Sequence, residues 1–173
     1  PTPLRGYRPG YHFTGEIACY EAAPPVYLNA SEEAKDRNAW DLPWHRPKVF
    51  LNRARTSRDA WRLAAFPVSE DRACSENFIA IWPPEGWTEH ALSAVLNGPV
   101  ASAFVATHDR YIDTKTATLA RVPLPSLDET AQRHLGELVR AYIAQVAEYR
   151  ASMKRRAEQV EEVEIGSHHD RDV

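Results

Sequence analysis

Six cations fall between Trp44 and Arg62, namely Arg46, Lys48, Arg53, Arg55, Arg58 and Arg62, opposed only by Asp59. The planar fork of arginine grips phosphate, or the O6/N7 edge of guanine, through two parallel hydrogen bonds. A solvated, charged hairpin is the plainer use of the same residues. A second polar stretch, His108-Asp109-Arg110-Tyr111-Ile112-Asp113-Thr114-Lys115-Thr116, sets small hydroxyls beside cations, which suits phosphate and base-edge contacts. Trp40, Trp44, Trp61, Trp82 and Trp87 have the chemistry to stack single-stranded bases, and equally to fill a core.

Catalytic patterns are missing. The chain has no Gly-rich loop after a strand, no nucleophile elbow, no HExxH and no Walker sequence. His12, Cys19, His45, Cys74 and His108 contain no pair at zinc-ligand spacing, so no metal site is expected. Asp109 and Asp113 with Lys115 echo the carboxylates and lysine of a metal-dependent nuclease only faintly. Cys19 and Cys74 are too few for a disulfide framework and read as two reduced thiols in a cytoplasmic protein, a bridge between them being the alternative.

These loops must be held by a scaffold. The run Phe78-Ile79-Ala80-Ile81-Trp82, stopped by Pro83 and Pro84, reads as a strand buried on both faces. Lys48-Val49-Phe50-Leu51-Asn52 predicts another strand, and Trp61 to Phe66 its antiparallel partner, ended by Pro67. The basic stretch between them is then a connecting loop. Residues 1–10 are rich in Pro and Gly and read as an extended lead-in, with weak strands at Tyr11–Tyr20 and Val26–Leu28 and a short helix after Ser31. Thr88 can cap a helix that Asn97-Gly98-Pro99 closes, and a second helix follows to about Thr107. Leu119 to Pro125 reads as an extended exit.

From Ser126 or Asp128 a helix is predicted to about Glu164. Val139, Tyr142, Val146, Tyr149, Met153, Val160 and Val163 fall near alternating four- and three-residue spacing, broken only by Arg156, as in a coiled-coil seam. Arg150, Lys154, Arg155 and Arg156 precede Glu158, Glu161, Glu162 and Glu164, a segregation that favours an antiparallel partner. The expected organisation is a globular domain over residues 1–126, a long helix over 127–165 and a flexible tail over 166–173. The fold class is α/β, a mixed sheet with short helices plus the long C-terminal helix.

With 173 residues, 43% of them apolar and 26% charged, the chain can bury a core and has the balance of a soluble protein; no apolar run is long enough to span a membrane. It has neither a signal-peptide pattern nor an evident native start, as a piece of a longer polypeptide would. The net charge of −3 argues mildly against a polyanion partner. A local basic patch can nevertheless steer one, because its field reaches over ~8–10 Å.

The order of several weak motifs points further. A strand ending in Asn52-Arg53-x-Arg55 is followed by Ser75-x-Asn77-Phe78-x-x-Ile81-x-Pro83 and by Ala94-Val95-Leu96-Asn97-Gly98. A lysine-bearing polar loop, Leu119-x-x-Val122-Pro123-Leu124-Pro125 and a long helix come after. Over residues 46–150 this resembles the target-recognition domain of type I restriction–modification specificity subunits, and the C-terminal specificity domains of adenine-N6 DNA methyltransferases. The resemblance implies a non-catalytic module that reads double-stranded DNA. Catalysis, with S-adenosylmethionine, would belong to a methyltransferase domain or subunit that partners it, with no cofactor in this chain. Matched by position, Arg53, Arg55 and Arg58 in one loop and Thr114, Lys115 and Thr116 in the other would face DNA. Lys48 and Arg62 on the flanking strands and Arg110 complete the candidate set. Val139, Tyr142, Val146, Tyr149, Met153 and Val160 would face a partner helix, in a homodimer or a companion chain. The competing expectation is a protein-interaction or assembly module that works through the helix alone.

Overall fold

A strand with every residue buried must be covered on both faces and paired on both edges. The computed structural model describes residues 5–13, 15–31, 41–54, 62–109 and 113–169, with side chains as far as residue 157. Its strands are β1 (Tyr7–Tyr11), β2 (Ile17–Ala18), β3 (Glu21–Ala22), β4 (Val26–Asn29), β5 (Lys48–Asn52), β6 (Ala65–Val68), β7 (Ala73–Cys74) and β8 (Phe78–Ile81). Its helices are α1 (Glu89–Leu96), α2 (Pro99–His108), α3 (Thr116–Leu119) and α4 (Glu129–His169). The strand that meets the condition is β5, flanked by antiparallel β6 and β8.

Side chains alternate across a strand, and β5 uses that alternation to join two cores. Val49 and Leu51 enter a cluster with Leu63, Ala65, Ile79, Leu92, Leu96, Ala101 and Val105. Phe50, on the opposite face, enters one with Tyr11, Ile17, Trp44, Val68, Ala73 and Phe78. The expected two-sided strand at Phe78–Trp82 is therefore an outer one. Phe78 and Ile79 do reach opposite cores, but Ala80 and Ile81 are only half-buried.

The β6 strand runs through Pro67 instead of ending there. As an edge strand of its sheet it tolerates a residue without a ladder donor. A second, mixed sheet has the order β4-β1-β7, with β1 antiparallel to β4 and parallel to β7. Gly10 allows that parallel approach, since a Cβ there would lie 2.3 Å from the Ala73 carbonyl oxygen. The first expected weak strand is split into the end of β1 and the short β2–β3 hairpin.

Helix boundaries follow local chemistry. The Thr88 hydroxyl accepts the Ala91 N–H, and Pro99 stands at the start of α2, where it has no intrahelical bond to lose. Of the two expected caps for α4, Asp128 is the one that closes the helix start, its carboxylate accepting the Ala131 N–H at 2.7 Å. The helix continues to His169, so the first residues of the expected tail are helical. Its first turns cross α1 closely enough that a Cβ on Gly136 would stand 3.0 Å from Thr88 Oγ1. The fold is thus α/β: mixed sheets of short strands, short helices and one long C-terminal helix. The helix expected after Ser31 lies mostly outside the described residues. No helix among the described residues is long and apolar enough to cross a membrane.

Candidate nucleic-acid interface

The described ends of two polar turns lie side by side on the scaffold. Arg53 follows β5 directly, and its N–H donates to the Asn77 carbonyl at 3.0 Å. Ala54 forms an antiparallel bridge with Asp113, and the Thr114 N–H donates to the Arg53 carbonyl at 2.8 Å. The backbone at the start of the arginine turn is thereby stitched to that at the end of the lysine turn. The second turn is pinned from below: Asp109 is only 3% exposed, and its Oδ2 accepts the Lys115 N–H at 2.7 Å. Arg53, Asp113, Lys115 and Thr116 are exposed on the resulting ledge.

Not all expected contacts are on that ledge. Lys48 is fully buried, and its ammonium donates to three carbonyls, those of Trp44 at 2.6 Å, Arg46 at 3.2 Å and Glu70 at 2.8 Å. Burial brings its pKa down to about 8. It is a corner-post of the scaffold and not a DNA contact, because its three donors are already used inside the fold. The Thr114 side chain is likewise buried at 4% exposure, so this residue serves the site through its backbone N–H. Arg62 is half-buried, and its Nε is enclosed without a hydrogen-bond partner. Arg55, Arg58 and Arg110 lie outside the described residues.

The motif residues behind the resemblance have structural roles that sequence alone does not reveal. Asn77 Nδ2 and the Ser75 hydroxyl both donate to the His12 carbonyl, at 2.7 and 2.9 Å, tying the turn beside Arg53 to the end of β1. Asn97 places its amide against the outer edge of β6. Its Oδ1 accepts the Ala65 N–H and its Nδ2 donates to the Ala65 carbonyl, both at 2.8 Å. A side-chain amide there satisfies both backbone groups as a neighbouring strand would. Beyond the Ser75–Asn77 turn lies an open groove of about 470 Å³, lined in part by His12, Phe13, Tyr27, Asn29 and Glu76.

Trp44 is a core residue, and Trp82 packs against the same cluster, which assigns both to packing rather than to base stacking. Cys19 and Cys74 are free thiols, and burial pushes that of Cys74 up to about 12 despite the nearby cations of Lys48 and Arg53. Among the described residues no group of three His, Cys, Asp or Glu side chains could hold a metal ion.

On α4 the expected seam divides. Val139 is 6% exposed, on the face that Gly136 lays against the domain, so it is spent on the protein's own core instead of on a partner. Val146 is half-buried and Tyr142, Tyr149 and Met153 remain 51%, 64% and 46% exposed. Leu138, at 54% exposure, belongs with them although it lies outside the expected seam. Its spacing of four and then eleven residues to Tyr142 and Tyr149 is the signal that could have found it. The side chain of Val160 lies outside the described ones.

No family model, curated protein or solved structure matches this chain.

Proposed function

We propose that this chain is a non-catalytic DNA sequence-recognition module of a restriction–modification or adenine-methyltransferase system. The observation that carries the proposal is the stitching of the two polar turns through Ala54–Asp113 and Thr114–Arg53. It brings an arginine from one turn and a lysine from the other to a single exposed ledge. Separated cations would each touch a polyanion weakly, whereas cations on one rigid ledge neutralise neighbouring phosphates together. In this reading the backbone bridge fixes their spacing before DNA arrives, and α4 joins the module to a methyltransferase domain or subunit. Methyl transfer from S-adenosylmethionine then takes place on that partner. The chain's own residues bind and orient the duplex.

The test is fluorescence anisotropy of labelled duplex DNA with the whole chain over a salt series. Binding that strengthens as salt falls supports the proposal, and no duplex binding at low salt refutes it. A second reading has its own observation: the exposed stripe Leu138, Tyr142, Tyr149 and Met153 on α4. It makes the chain an assembly module acting through its helix. Concentration-dependent self-association without polyanion binding would favour it.

A further inference from the structure

The inner part of α4 rests on the domain, but its outer part is held by something else. Between residues 147 and 157 every residue of the helix is exposed except Ser152, which is half-buried. Toward this outer part, Arg150 Nη2 makes an ion pair with Glu21 Oε2 at 2.5 Å. Glu21 begins β3, and Tyr20 immediately precedes it at the tip of the β2–β3 hairpin.

Tyr20 is unusual in three ways. Its φ of 61° lies in the left-handed region, and no other non-glycine residue among those described has a positive φ. A bulky side chain is disfavoured there, so its presence in place of Gly or Asn calls for a reason. Its N–H donates at 3.3 Å to the Ala65 carbonyl, the same oxygen that Asn97 Nδ2 reaches, which locks the hairpin tip to the edge of β6. Its ring then meets Tyr142 of α4 edge-on, with centroids 5.4 Å apart and planes at 77°. That is a favourable aromatic geometry.

We propose that the β2–β3 hairpin is a brace that sets the direction of α4, with Tyr20 as its contact point and Glu21–Arg150 as its outer tie. At Tyr20 the N–H sits on β6 while the half-buried ring meets Tyr142, so one residue links sheet and helix. The two ties differ in weight. Arg150 is 68% exposed, and an exposed pair contributes little and is screened by salt. The ring contact therefore carries the brace and the ion pair trims it. This inference rests on the helix half of the proposed function alone, and its test contains no DNA, so failure of DNA binding would leave it standing.

The experiment is measurement of amide residual dipolar couplings in the whole chain, comparing α4 with β5 and α1. In the native protein one alignment tensor should fit all three. Tyr20→Gly keeps the left-handed backbone without strain and removes the ring together with its hydroxyl's hydrogen bond to Asn97. Its expected result is a fall of about half or more in the alignment of residues 147–157, as for a segment passing from rigid to flexible order, with β5 and α1 unchanged. Tyr142→Ala, at a half-exposed helix position, should reproduce the loss. Arg150→Ala should give a smaller one. A single unchanged tensor in both Tyr20→Gly and Tyr142→Ala overturns the proposal. So does a loss in Arg150→Ala that exceeds theirs.

Discussion

Replacing Asn97 by Ala removes the two hydrogen bonds that close the outer edge of β6, and the cost can be worked from the geometry. The residue is 8% exposed, and both bonds to Ala65 measure 2.8 Å. Two neutral hydrogen bonds contribute about 1 kcal/mol each, and a buried N–H left without a partner costs about 1–3 kcal/mol more. The Ala65 carbonyl keeps the Tyr20 N–H at 3.3 Å, so only the Ala65 N–H is orphaned. The expected destabilisation is therefore about 3–5 kcal/mol. With an m-value of about 2 kcal/mol/M, the urea midpoint followed by circular dichroism should drop by about 1.5–2.5 M. Asn97→Asp separates the two bonds. Its carboxylate still accepts the Ala65 N–H but faces the Ala65 carbonyl without a donor, so it should be no more stable than Asn97→Ala at neutral pH. A loss below about 1 kcal/mol in Asn97→Ala would show that water replaces the amide, and would refute the edge-closing role.

Three other outcomes follow from the buried polar groups and the close helix crossing. The imidazole of His90, 3.0 Å from Glu89 Oε1, holds the Glu89 carboxyl down at about 2 against the burial that raises it, and the Ser69 hydroxyl helps. Its folded pKa lies below the ordinary 4.5, so the stability it confers is present above pH 4.5 and is lost as pH falls toward 2, about 3 kcal/mol in all. Urea midpoints between pH 5 and 2.5 should fall more steeply for the native chain than for Glu89→Gln. Lys48→Met should cost about 2–4 kcal/mol in the same assay by leaving three carbonyls without their charged donor. It should also abolish a rise in stability from pH 8 toward 10.5, the range in which unfolded lysine still holds the proton that buried Lys48 releases. Gly136→Ala gains about 1 kcal/mol of helix propensity but presses a methyl group against Thr88 Oγ1, so its melting temperature should fall, not rise.

Local signals were legible in the sequence because their physics is local. The Thr88 cap, the Asn97-Gly98-Pro99 stop and the apolar run of β5 each depend on a few neighbouring residues, and each stands where it was expected. What was not legible depends on contacts between distant segments. Lys48 looked like a surface cation because nothing nearby in the chain shows that Glu70 will supply a carbonyl to it. Val139 fitted a partner-facing seam, yet Gly136, one turn earlier, lets α4 sink onto α1 and takes Val139 inward. Pro67 looked like a strand end because the sequence does not reveal that β6 is an outer strand. The adjacency of the two polar turns, expected only through the resemblance, comes from a backbone bridge linking Ala54 with Asp113. No pattern of residue types specifies such a bridge.

The most direct test of the cationic ledge is the salt dependence of duplex binding in Arg53→Ala, Lys115→Ala and the double variant. If both side chains neutralise phosphates from one surface, each single change lowers the slope of log K against log salt by about 0.9, and the double change by about 1.8. Slopes equal to that of the native chain in all three variants would contradict it.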